Sequence, residues 1–244
     1  MAEQLPLRLA LDDQARFDSF HPGPNGEAVA HLQALARGEA AGPVYLWGAP
    51  GSGRSHLLQA TCRATAEDGG TVLYLPLGER DRPPPEALEG LERLTLLAID
   101  DIDAVAGDRP WEEALFHLYN RCREGGARLL VSGPAAPAAL PLRLPDLRSR
   151  LAWGLVLRLS PLSDEDKAAA LVHLARLRGL ELPAETAHYL LRRCPRDMTT
   201  LVRLLEALDQ ASLAARRALT IPFVSAFLAR HPQWQVQAGL FDRS

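Results

Sequence analysis

At 244 residues with 47% hydrophobic and 23% charged side chains, the chain is long enough to bury a substantial core as one domain with a smaller companion. Its formal charge of −3 excludes the basic excess on which sequence-independent DNA binding depends, so any link to DNA is expected to be indirect. Three widely spaced cysteines, Cys62, Cys122 and Cys194, argue against a disulfide framework or a zinc site, and no run approaches the roughly 20 apolar residues of a membrane span.

Residues 1–12 read as a flexible segment carrying Gln4, Leu5, Leu7 and Leu9, without the basic n-region and apolar stretch of a secretion signal; a cytoplasmic protein without membrane contact is expected. Phe17-Asp18-Ser19-Phe20 places two aromatics ahead of the core. Then come five short apolar runs, Val44 to Trp47, Thr71 to Leu75, Leu96 to Ile99, Arg128 to Ser132 and Leu155 to Leu159, which read as buried parallel strands. Helical patterns alternate with them, notably Ser55 to Glu67 and Trp111 to Glu124, where Leu115, Leu118, Tyr119 and Cys122 share a face. Residues 78–86, with three consecutive prolines, form an exposed polar linker. The alternation predicts a doubly wound α/β domain over residues 13–160, a parallel five-stranded sheet flanked by helices.

After Pro161 the strand pattern stops. Ser163-Asp164-Glu165-Asp166 opens a helix with an N-cap serine and an acidic first turn, and breaks near Gly179, Pro183, Pro195 and Pro222 divide the remaining chain into about four helices. Residues 161–232 therefore read as a smaller all-helical lid, with a flexible tail, 233–244, after it.

The chemistry concentrates between the first strand and the helix after it. Gly48-Ala49-Pro50-Gly51-Ser52-Gly53-Arg54-Ser55 is a phosphate-binding loop in which arginine stands where such loops carry lysine. The glycines let backbone N–H groups turn toward phosphate oxygens, Ser55 can ligate Mg²⁺, and His56 lies next in the first helical turn. Guanidinium is planar and forked where ammonium is a point charge, so Arg54 should hold a nucleotide yet position a γ-phosphate poorly. Leu96-Leu97-Ala98-Ile99-Asp100-Asp101 completes the site as an apolar strand ending in two acids. Asp100 is the candidate for Mg²⁺, and Asp101 for the attacking water. Alone, such a strand end is ordinary turn chemistry; downstream of the loop it becomes a Walker B pattern.

Three further residues sit where AAA+ proteins place phosphate sensors and fingers. Ser132 ends the fourth strand, at the position of sensor I. Arg196 opens a lid helix, at that of sensor II. Arg150, in Leu147-Arg148-Ser149-Arg150-Leu151, is the candidate arginine finger, a charge supplied in trans to a neighbour's phosphoryl transfer; Arg148 is its surface neighbour.

With these residues assembled, the chain resembles the Hda family of DnaA-related AAA+ regulators, from Gln4 to about Arg230. The resemblance is carried by Gly-x-Gly-Arg-Ser-His at 51 to 56, Asp108-x-x-Trp111-Glu112, Leu144-Pro145-Asp146-Leu147-x-Ser149-Arg150-Leu151-x-Trp153-Gly154, Pro161-Leu162-Ser163-Asp164-Glu165-Asp166-Lys167 and Leu219-Thr220-Ile221-Pro222. It implies an AAA+ P-loop nucleotide-binding domain with a helical lid. It also implies an ADP-bound regulator, with ATP the alternative ligand and Mg²⁺ reached through the nucleotide. Such a regulator sits on the DNA-loaded β sliding clamp of DNA polymerase III and stimulates ATP hydrolysis by DnaA, preventing re-initiation of replication. Arg150 matches the finger, Phe17 the residue covering the adenine, and Gln4-Leu5-Pro6-Leu7-Arg8-Leu9 the clamp-binding peptide, which can dock as an extended segment.

Three departures stand out. Pro134 replaces the polar residue expected in the sensor loop, and Asp101 is shorter than the usual glutamate; both argue for weak intrinsic hydrolysis. Gln237-Ala238-Gly239-Leu240-Phe241 resembles a shorter clamp-binding pentapeptide and is a candidate second contact. The stretch from Gly78 to Thr95 is too short for an initiator's added DNA-engaging helices, and the residues after Arg230 too few for a helix-turn-helix domain, which favours an adaptor. The alternative is an autonomous AAA+ ATPase acting as a loader or remodelling motor; a scaffold with a vestigial loop ranks last. A homo-oligomer that sets Arg150 beside a neighbour's nucleotide is compatible with either.

Overall fold

Five short runs rich in Leu, Val and Ile pair in parallel as β1 (Val44–Gly48), β2 (Val72–Pro76), β3 (Leu96–Asp100), β4 (Arg128–Gly133) and β5 (Leu155–Leu159), in the spatial order β2-β3-β4-β1-β5. The computed structural model describes residues 11, 12 and 14–235, and the chain divides after Pro161 into two compact units.

Register sorts the side chains of the first unit. Val44 lies beside Leu130 on one flank and Leu155 on the other, so Val44, Leu46, Leu130 and Leu157 face one way and Tyr45, Trp47 and Val131 the other. The first face packs on α1 (Gly26–Ala36) and α2 (Arg54–Glu67) through Leu32, Leu35, Leu57, Leu58 and Cys62. The second packs on α3 (Arg109–Gly125) and α4 (Pro145–Trp153) through Leu115, Leu118, Tyr119, Leu147 and Leu151. The result is the doubly wound sheet the alternation predicts. The expectation of buried strands holds for β1, β3 and β4; β5 is an edge, and its Leu155 and Val156 remain 40% and 36% exposed.

Helices α1 and α4 go beyond the sequence expectation. Neither has a side-chain cap, and each starts at a Gly or Pro, residues that also mark turns. Residues 78–86 form turns that are exposed for the most part, as their composition suggests.

The second unit is helical: α5 (Asp164–Leu177), α6 (Ala184–Arg193), α7 (Met198–Ala215) and α8 (Ile221–Arg230) enclose their own core of Leu171, Leu190, Leu204, Leu205, Leu208 and Val224. The Ser163 side chain accepts from Asp166 N–H at 3.1 Å while the Asp166 carboxylate accepts from Ser163 N–H at 3.2 Å, the capping box legible in the sequence. Asp197 caps α7 through Thr200 N–H at 2.8 Å. No helix among the described residues is long and apolar enough to cross a membrane.

One buried carboxylate fixes the approach to α4. Glu112 on α3, 1% exposed, accepts from the N–H groups of Gly107 at 2.6 Å, Arg143 at 3.1 Å and Leu144 at 2.6 Å, so the strand-like entry to α4 hangs on one side chain. In Glu112→Gln one acceptor becomes a donor facing an N–H, and a charge-assisted bond is lost. Stability should fall by about 1.5–3 kcal/mol, read as a lower urea midpoint; an unchanged midpoint would contradict this role.

Candidate nucleotide site

Parallel pairing delivers the C-terminal ends of β1, β3 and β4 to one rim of the sheet, where ligands of such sheets bind. β1 ends at Gly48, and residues 49–53 turn back into α2. Gly51 and Gly53 take φ of 76° and 94°, and Ser52 N–H closes the turn on Ala49 O at 3.1 Å. A side chain at Gly48 would meet Ser52 Oγ at 2.7 Å and Leu159 O at 2.9 Å, and one at Gly53 would meet Phe20 Cε2 at 2.5 Å. Pro50 and Gly51 form the exposed crest.

No side chain caps α2, so its first-turn N–H groups are left for whatever stands over the loop. Ser52 Oγ is buried without a partner, and Ser55, half-buried in that first turn, makes no side-chain hydrogen bond among the described residues. Uncapped N–H groups, a positive helix end and an unsatisfied hydroxyl fit an anionic phosphate, and Ser55 is placed to reach its counter-cation. Among the described residues no cluster of three or more His, Cys, Asp or Glu could hold a metal by itself.

Arg54 ties the loop to β3. One guanidinium nitrogen donates to Gly48 O at 2.7 Å, and the other pairs with Asp101 Oδ1 at 3.0 Å. Asp101 reaches that partner because its backbone adopts φ 53°, uncommon outside glycine but tolerated by aspartate. Burial pushes its carboxyl pKa upward and the Asp100 charge adds to this, while Arg54 opposes both. The acid placed for the attacking water is thus spent on an arginine of its own chain.

Asp100 is committed differently. It is 1% exposed; Oδ2 accepts from Tyr74 Oη at 2.7 Å, and Oδ1 accepts from the Ser132 hydroxyl and from Asp101 N–H at 3.2 Å. Ser132 Oγ also accepts from Asp101 N–H at 3.1 Å. Burial and the neighbouring carboxylate hold the Tyr74 phenol well above its ordinary pKa, so it stays a donor. Asp100, Asp101, Ser132 and Arg54 therefore converge, but as a satisfied network that pins the ends of β3 and β4. Tyr74 escaped sequence reasoning because a tyrosine within an apolar strand looks like core.

The remaining candidates have partners of their own. Phe20 stands over Gly53, whereas Phe17 packs on the first-face core and lines a cavity with Gln33, Arg37, Ala60 and Ala64. His56 is held at 2.8 Å from Arg16 O and 3.3 Å from Ser19 Oγ, its ring 5.6 Å from that of Phe20; burial depresses its pKa. It anchors segment 16–20 to α2. In the second unit Arg196 pairs with Asp164 at 2.9 Å and donates to Leu191 O at 3.2 Å. Arg150, in the last turn of α4, has its guanidinium 4.6 Å from the centre of the Trp153 ring and 5.8 Å from that of Phe116. Gln4, Leu5, Leu7 and Leu9 and the stretch 237–241 lie outside the described residues; Leu11 packs on the core and Asp12 N–H donates to Gln59 Oε1 at 2.8 Å.

The model of the Hda lid domain matches residues 164–228, and that of the bacterial DnaA ATPase domain matches residues 85–158. The chain joins a DnaA-type ATPase domain to an Hda-type lid. Hda is the DnaA-inactivating AAA+ protein, and the Hda-type lid ties this chain to control of replication initiation. Its fold is similar to that of domain III of the Thermotoga maritima replication initiation protein DnaA, with a TM-score of 0.75 at 20% identity over 91% of this chain and 98% of that one. Aquifex aeolicus DnaA bound to AMPPCP gives 0.67 at 20% over 80% and 66%, and the Thermotoga maritima RuvB branch migration motor 0.65 at 18% over 88% and 73%. At these identities the likenesses concern the fold, a DnaA-like AAA+ nucleotide-binding domain with a lid.

Removing the Arg54 fork frees both Gly48 O and Asp101 at the mouth of the loop. Arg54→Ala should weaken nucleotide binding by roughly tenfold or more, the worth of one charge-assisted contact. Titration with a fluorescent ADP analogue reads this, and unchanged affinity would mean that the loop is vestigial.

Proposed function

We propose that this protein is an adaptor of the Hda family: it holds ADP in the phosphate loop and, seated on the DNA-loaded β sliding clamp, lends Arg150 to ATP-bound DnaA. The observation that supports this best is how the two charged groups are spent. Asp101, the acid a self-sufficient ATPase would aim at water, is paired with Arg54, while Arg150 faces aromatic rings and no carboxylate among the described residues. Such a chain retains nucleotide, turns it over slowly and has a cation to offer elsewhere. A guanidinium entering DnaA's site would stabilise the charge that develops on the transferring phosphoryl oxygens, a contribution of about 10³ or more in rate.

In this reading the loop, Ser52 and Ser55 hold the diphosphate, with Mg²⁺ reached through Ser55 and the nucleotide, and Asp100 sets the acidic strand end. Ser132 and Arg196 act as the phosphate sensors, and Phe17 lies on the base side. Gln4, Leu5, Leu7 and Leu9 contact the clamp, with Gln237 to Phe241 as a second contact. The protein is cytoplasmic and meets DNA only through the clamp. The autonomous loader or motor would need Asp101 released from Arg54 during each turnover.

Purified DnaA loaded with ATP, DNA-loaded clamp and this protein test the reading together. Arg150→Ala should cut the stimulated hydrolysis by on the order of 10² or more while leaving ADP binding intact; retained stimulation would contradict it. The paired change Gln4→Ala and Leu5→Ala should weaken clamp binding at least tenfold with the melting temperature unchanged, two anchors of one extended peptide being lost. Unchanged clamp affinity would rule out the N-terminal contact.

A further inference from the structure

A finger arginine has two conflicting needs. It must be held at one place, so that little conformational entropy is lost on docking, and it must keep its charge and its N–H donors unspent for the phosphoryl group. A carboxylate would meet the first need and defeat the second. An aromatic face meets both, because a guanidinium stacked on a ring keeps its edge donors free.

The surroundings of Arg150 have that character. Trp153 is 66% exposed, far more than a tryptophan in a packed interior, yet two guanidinium groups stand near its ring, Arg150 at 4.6 Å and Arg123 at 5.1 Å from the ring centre. Phe116 offers Arg150 a second ring at 5.8 Å. Neither Arg123 nor Arg150 forms an ion pair with a carboxylate among the described residues. Both arginines sit in the last turn of their helices, α3 and α4, where the helix dipole favours a cation.

The backbone beneath the indole is fixed. Trp153 is the last residue of α4; a side chain on the adjoining Gly154 would meet Pro43 O at 2.0 Å, and Leu155 N–H donates to that same oxygen at 3.0 Å. The chain is thereby pressed onto the segment leading into β1, with the indole standing out beside Arg150. Burial pushes the pKa of the Tyr119 phenol on α3 upward, and the charges of Arg150 and Arg123 both oppose that rise.

We propose that Trp153 is the positioning residue of Arg150: its exposed ring holds the guanidinium in place and uncompensated until DnaA's nucleotide receives it, with Arg123 near the same ring adding to the positive field. This rests on the assignment of Arg150 as the arginine supplied to DnaA. The ring contributes no chemistry of its own, so its loss should act on the rate through Arg150 and leave the clamp and nucleotide sites untouched.

The test compares Trp153→Ala, Trp153→Phe, Arg150→Ala and the double variant in the DnaA hydrolysis assay with DNA-loaded clamp, measuring both the maximal stimulated rate and the half-maximal concentration. Trp153→Ala should lower the maximal rate about tenfold, Trp153→Phe should recover most of it, and the double variant should be no worse than Arg150→Ala. ADP binding and melting temperature should be unchanged in every variant, because the replaced ring is exposed. A normal rate in Trp153→Ala, a change confined to the half-maximal concentration, no recovery in Trp153→Phe, or a further loss in the double variant would each overturn the positioning role. If Arg150→Ala itself stimulates normally, the assignment of the finger falls, and the role of Trp153 with it.

Discussion

Everything about the nucleotide end of this molecule turns on the fork of Arg54. One arm grips the carbonyl of Gly48 where β1 gives way to the loop, and the other grips Asp101 where β3 ends. A lysine would have to meet both partners from a single nitrogen, a point charge without the planar spread by which guanidinium assigns a separate nitrogen to each. The exchange of one residue in the loop is therefore a change of architecture: it cross-links two strand ends that in a working ATPase must respond separately to water and phosphate.

Behind that fork lies a network of paired polar groups. Tyr74, Ser132 and the backbone of Asp101 all donate to Asp100, so β2, β3 and β4 are joined by polar contacts as they are by apolar contacts along their length. A buried network in which every member is paired favours one arrangement and resists remodelling. Farther along the same unit, Glu112 performs a similar task for the entry to α4 by gathering three backbone N–H groups. The helix carrying Arg150 thus begins from a fixed point and ends on Gly154, whose close approach to Pro43 leaves no freedom. Rigid supports at both ends suit a group that must arrive already oriented.

Much of this was legible in the residues. The glycines of the loop, the acidic end of β3 and the capping box of α5 are signals in which short spacing carries the physics, and the structure has the loop, strand and helix in those places. What stayed hidden depends on distance in the chain. Nothing near Asp101 announces that Arg54, 47 residues earlier, would neutralise it, and Tyr74 is indistinguishable from core until β2 is set beside β3. The exposure of Leu155 and Val156 comes from β5 being an edge, a property of strand order that no local pattern encodes. Helix α1, opening on Gly26 without a side-chain cap, lacked the start signal that marked α5. Phe20 rather than Phe17 stands against the loop, a choice that only the turn at residues 17–20 decides.

The central claim is that this chain keeps its own nucleotide intact and causes DnaA to hydrolyse the ATP that it holds. The most direct measurement is a single-turnover experiment in which γ-labelled ATP is bound either to DnaA or to this protein before the two are mixed with DNA-loaded clamp. The account predicts rapid phosphate release when the label sits on DnaA and little release when it sits on this chain. Rapid release from this chain's own nucleotide, with DnaA's left intact, would contradict it and identify an autonomous ATPase instead.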